Sequence, residues 1–184
     1  MERELDEPRA WAFFLCGKCT MANSQANDPI DVFMWRRIDE RLTTSGQPTE
    51  AQLAAIHALG VTHVINLGLH THEMALVDEA ASVAALGMTY IHMPVEFGNP
   101  TDADFDRFKA KTGELHGQTI HVHCIANLRV SAFLYRYKRN LPGMVEADVR
   151  SEMDGIWRPG GVWATFIGDA EAATRDHLYA RRDY

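Results

Sequence analysis

Residues 121–133 read HVHCIANLRVSAF and bring a thiol, a guanidinium and a hydroxyl close together in the chain, at Cys124, Arg129 and Ser131. A thiolate is a strong nucleophile, and cations or a helix N-terminus favour its formation. The fork of Arg129 suits the oxygens of a phosphate, and the Ser131 hydroxyl could hydrogen-bond the sulfur and ease its later departure. The plainer readings are a small buried apolar cysteine and a solvated arginine in a first helical turn. A cation at a helix N-terminus opposes the dipole, however, and so calls for an anion beside it.

This chemistry needs elements that hold it. TIHVHC (119–124) reads as a strand and RVSAFLYRYKRN (129–140) as a helix. The turn between them leaves the first helical N–H groups unpaired and favours an anion. The same alternation extends upstream. VFMWRRID and RLTTSG read as short strands, and PTEAQLAAIHALG (48–60) as a helix stopped by Gly60. VTHVINL (61–67) is a strand, HEMALVDEAASVAALG (72–87) a helix and MTYIHMPV (88–95) a strand. TDADFDRFKAKTGELHG (101–117) opens a helix with Thr and acids. Residues 141–184 read as two or three helices. The expectation is an α/β fold with a central, mostly parallel sheet flanked by helices.

Parallel strands open their carboxyl ends on one edge, where such sheets bind ligands. Three loops should meet there: GLHTHE (68–73), EFGNP (96–100) and CIANLR (124–129). His70 and His72 then become candidates for the pocket rim. Together with Cys124 and Glu73 they match no standard metal-ligand spacing, so no metal is expected. His121 and His123 alternate with Val122 and share one face of their strand. Trp157, Trp163 and Phe166 are most simply core residues of the C-terminal helices.

The 184-residue chain is 46% hydrophobic and 23% charged, a globular composition. Its net charge of −7 argues against a nucleic-acid surface, and no apolar run could span a bilayer. Residues 1–30 read as a disordered or loosely docked extension before one domain over 31–184. AWAFFLC near the start follows an acidic stretch, unlike a signal peptide, so a cytoplasmic location is expected. The three cysteines do not form a disulfide framework, and CGKC at Cys16 and Cys19 lacks the second pair of a zinc site.

HC…R.S between a strand and a helix resembles the signature of the cysteine-dependent protein tyrosine and dual-specificity phosphatases. SGQPTEAQLAAIHALGVTHVINL and YIHMPVEFGNPTDADFDRF resemble the opening and the acid-bearing segment of their small members. The likeness covers residues 36–168 or so. The resemblance implies a phosphotyrosine-phosphatase-like fold and a metal-free, cofactor-free mechanism. Cys124 would attack phosphorus. The backbone of Ile125, Ala126, Asn127 and Leu128, with Arg129, would hold the phosphate oxygens. Glu96, after PV, would protonate the leaving group, with Asp102 or Asp104 as fallbacks that also suit a helix cap. His123 would order the loop and tune the thiol. Two departures stand out. In the loop, four residues rather than five separate cysteine from arginine, with Val130 at the usual arginine position, and there is no glycine; and Glu96 stands where the family often has Asp. Asn127 is the loop residue best suited to a left-handed turn.

Three functions follow as expectations. The first is hydrolysis of a phosphate monoester or phosphorylated protein. The second is capture of a phosphorylated partner without turnover. The third is sulfur transfer through a Cys124 persulfide, since rhodanese-type enzymes also place cysteine in an anion-cradling loop. Substrate identity and oligomeric state are not written in the sequence.

Overall fold

In the computed structural model, residues 27–177 and 179 are described; the CGKC pair and most of the expected N-terminal extension lie outside them. The strands are β1 (Arg36–Arg37), β2 (Leu42–Ser45), β3 (His63–Asn66), β4 (Thr89–His92) and β5 (Ile120–His123). They form one sheet in the order β1-β2-β5-β3-β4. Only the β1–β2 pairing is antiparallel; β2, β5, β3 and β4 run parallel. The strand that carries the cysteine motif is therefore central and buried along its whole length.

Among the described residues, six α-helices connect and cover these strands: α1 (Glu50–Ala58), α2 (Glu79–Ala85), α3 (Asp102–Glu114), α4 (Leu128–Lys138), α5 (Glu146–Asp154) and α6 (Gly161–Ile167). A 3-10 turn follows at Ala172–Thr174. Thr49 and Gln52 cap α1 reciprocally, as Thr101 and Asp104 cap α3. Each pairing satisfies two backbone donors that the helix start leaves open.

The sheet buries a core on each side. Leu53, Ile56 and Val83 of α1 and α2 pack with Val64, Val32 and Trp35. On the other side Phe108, Phe133, Val149, Trp163 and Phe166 of α3 to α6 pack with Ile65, Ile120 and Val122. Trp157, Trp163 and Phe166 are thus core residues.

One element is shorter than the sequence pattern suggests. Residues 72–78 form turns, and α2 starts at Glu79 with Asp78 accepting from the Ala81 N–H. Met74 and Val77 stay exposed, at 49% and 106%. An apolar stripe supports a helix only where a surface receives it, and here Leu76 packs on the core while Met74 and Val77 do not.

The segment before β1 is docked beside the motif. Asp28 is buried and ion-paired with Arg37, and the Phe33 carbonyl accepts from Gly46 N–H at 2.7 Å.

Candidate active site

β5 delivers Cys124 to the carboxyl edge of the sheet, where its N–H reaches the Ser45 carbonyl at 3.4 Å. The loop then folds back onto the end of β2. Gln47 N–H donates to Ile125 O at 3.0 Å, and Ala126 bridges Gly46. A Cβ at Gly46 would lie 2.7 Å from Ile125 O, so the close approach needs glycine there. Asn127 makes the turn. Its φ is 60° and ψ 7°, and its Nδ2 donates to Met34 O at 2.8 Å and Thr44 Oγ1 at 3.0 Å. α4 starts at the next residue.

Every residue from Cys124 to Arg129 is buried, with Cys124 and Arg129 at 0% exposure. Access to the sulfur therefore requires a neighbour to move. Arg129 Nε donates to Val95 O at 2.7 Å, and its guanidinium lies 5.0 Å from the Phe97 ring centroid. The arginine and the Glu96 loop are thus brought together, while Glu96 itself is exposed. Phe97 is held from behind: Trp163 Nε1–H donates to its carbonyl at 2.7 Å, and Trp157 and Trp163 pack on its ring. Ser131 Oγ donates to Leu128 O at 3.0 Å and accepts from Trp157 Nε1–H at 3.1 Å. Its one hydrogen is therefore committed to the backbone in this conformation.

His123 and His121 share a face, as their alternation requires, and the parallel register lines up a polar row across it. Ser45, His123, Asn66 and His92 lie side by side, as do Thr43, His121, Val64 and Tyr90. His121 is held by Thr43 Oγ1 at 2.9 Å and Ser45 Oγ at 3.0 Å. Burial first, then the nearby His123, push its pKa well below 6.5 and keep it neutral. His123 Nε2 lies 2.9 Å from Glu79 Oε1.

Glu79 is the site residue that sequence reasoning missed. In the sequence it reads as an ordinary acid inside the helix expected over 72–87, yet it is 2% exposed. Burial alone would raise its pKa, but His123, Gln47 and Tyr90 more than offset that and hold it below the usual range. Its one sequence signal is the position of α2, whose first turn packs over polar strand ends.

The remaining candidates sit further out. His70 stacks on His92 with ring centroids 3.6 Å apart and meets Tyr90 OH at 2.8 Å. His72 turns inward on its own loop, its Nδ1 accepting from Met74 N–H at 3.1 Å. Asp102 is in the first turn of α3 and pairs with Arg136 of α4 at 2.7 Å. Among the described residues, no group of three His, Cys, Asp or Glu side chains could hold a metal, and no helix is long and apolar enough to cross a membrane.

No family model matches the chain. A candidate phosphatase (DUF442) from Shewanella putrefaciens CN-32 superimposes with a TM-score of 0.66 at 29% identity, covering 75% of this chain and 91% of that one. The TpbA protein of P. aeruginosa, solved in complex with pTyr, gives 0.58 at 20% identity over 85% and 90%. The catalytic core of the PP-IP phosphatase SIW14 from S. cerevisiae gives 0.58 at 15% over 78% and 92%. The chain has the fold of the cysteine-dependent tyrosine and dual-specificity phosphatases. This phosphatase-like chain is also 31% identical over 142 residues to the Beta-lactamase hydrolase-like protein of Agrobacterium fabrum. That match takes in 76% of this chain but only 30% of the curated relative's length.

Proposed function

We propose that the chain hydrolyses phosphate monoesters through a cysteinyl-phosphate, with Cys124 as nucleophile. The observation that carries this reading is the turn at Asn127. A left-handed residue follows the cysteine at the end of the central strand, and α4 opens at once behind it. Such a turn aims successive N–H groups and a helix N-terminus at one point, which favours a phosphate there.

In the first step the Cys124 thiolate forms an S–P bond as the P–O bond to the leaving group breaks. Glu96 gives its proton to the departing oxygen. Backbone N–H groups of Ile125 to Leu128 and the Arg129 guanidinium hold the non-bridging oxygens. Water, giving its proton to the Glu96 carboxylate, then attacks phosphorus, the S–P bond breaks, and thiolate and inorganic phosphate remain. Ser131 helps the thiolate leave by turning its hydrogen from Leu128 O to sulfur. The substrate is a phosphorylated small molecule or protein.

A second reading, capture of a phosphorylated ligand without turnover, is favoured by one observation. Arg129 is wholly buried with its Nε on the Val95 carbonyl. Turnover of an aryl phosphate separates the two. Hydrolysis by the wild type that Cys124→Ser abolishes supports the enzyme. Phosphate affinity with no hydrolysis supports the binding module, and equal rates in wild type and Cys124→Ser reject the cysteine mechanism.

A further inference from the structure

On the α1/α2 face of the sheet, four elements converge on one carboxylate that the mechanism above does not use. Glu79 Oε1 lies 2.9 Å from His123 Nε2 of β5 and accepts from Gln47 Nε2–H at 3.0 Å. Its Oε2 accepts from Asn66 Nδ2–H of β3 at 2.8 Å and Tyr90 O–H of β4 at 3.0 Å. The side chains of Glu79 and His123 are both at 0% exposure. A helix-start acid gains its dipole stabilisation at the surface. Burying it costs several kcal/mol per ion unless partners surround it, roughly the penalty for any buried charge. This chain surrounds it completely, and one partner is the peptide neighbour of Cys124.

We propose that Glu79 is a positioning residue for Cys124, acting through His123. The carboxylate orients Nε2 and fixes the ring between β2 and β3, and so fixes the strand end from which Cys124 enters its loop. A loop held in that place keeps its N–H groups on the sulfur, and hydrogen bonds to the charged form favour thiolate over thiol. Other titratable groups also face the pair. His121 stacks on His123 at 5.9 Å and is neutral because it is buried. Tyr90 has its pKa raised by burial and by Glu79, so it stays a phenol. His92 is biased to the neutral form by burial and bonded to Gly68 O at 2.8 Å. His70 reaches the pair only through Tyr90 OH, and Ser45, Gln47 and Asn66 carry no charge.

The importance of Glu79 to turnover rests on the phosphatase reading, but its test does not. In the full chain with Cys16→Ser and Cys19→Ser, Cys124 is the sole thiol, and thiolate absorbance against pH reports its ionisation. Glu79→Gln should move that midpoint up by about one unit, the order of one hydrogen bond to a charged group lost when the loop is no longer held. It should also lower kcat on an aryl phosphate about tenfold, equivalent to one such unit of free energy, and leave KM within about twofold. An unchanged midpoint overturns the proposal. If Glu79→Gln does not fold, imidazole ¹⁵N NMR of the wild type decides: hydrogen on His123 Nε2 supports the proposal, and hydrogen on Nδ1 alone overturns it. A shifted midpoint in a chain that hydrolyses nothing supports the role of Glu79 while removing the phosphatase reading.

Discussion

Asn127 concentrates the loop's geometry in one side chain. Its backbone is left-handed, which costs other non-glycine residues roughly 1–2 kcal/mol, and its amide ties the turn to Met34 and Thr44. Asn127→Ala keeps neither advantage. With about 1 kcal/mol for each hydrogen bond, the loss should be roughly 2–4 kcal/mol in urea unfolding. Asn127→Gly loses only the hydrogen bonds and should cost less. Equal losses in the two variants would mean the left-handed turn carries no strain. Asn127 was legible in the sequence because only its residue type tolerates that turn in a loop without glycine. Glu79 was not, because within the helix expected over 72–87 nothing local separates a buried acid from a solvated one.

The alternation of strands and helices was legible because each element has its own period and its own stop signal. The polar row was legible only in half. Period two placed His121 and His123 on one face, but their partners Thr43, Ser45 and Asn66 arrive through long-range register. The start of α2 misled for a related reason: Met74 and Val77 complete an apolar pattern, yet no surface lies opposite to bury them. The contacts of Arg129 also depend on tertiary packing. The shortened spacing after Cys124 raised the question of where its side chain goes, and the answer comes from Val95 and Phe97 on a distant loop. Trp163 holds that loop through the Phe97 carbonyl, so α6 takes part in positioning the acid-bearing segment.

Across the whole molecule, buried histidines set the acid limit of stability. His121 has its pKa well below 6.5 through burial and then His123, and burial also lowers His92 and His177. Below 6.5 the unfolded chain takes up protons that the folded chain refuses. Stability is therefore full above pH 6.5 and falls as pH drops beneath it, by up to about 1.4 kcal/mol per pH unit for the buried His121, while the more exposed His92 and His177 are screened by solvent and add less. Glu79 adds a second loss at lower pH. Its folded pKa lies below 4.5, so its contribution is present above 4.5 and lost as pH falls through the lowered value. Urea unfolding across this range should show the first decline, and His121→Gln should flatten it. A wild-type stability that stays level from pH 6.5 to 5 would contradict the burial of neutral His121.

The central claim is that Cys124 bonds covalently to phosphorus during turnover. Acid quenching of the full chain with an aryl phosphate, then mass spectrometry of the peptide that contains Cys124, tests it most directly. The account predicts the added mass of one phosphoryl group on Cys124 in the wild type and none in Cys124→Ser. Hydrolysis that continues with no such adduct, or that survives in Cys124→Ser, would contradict it.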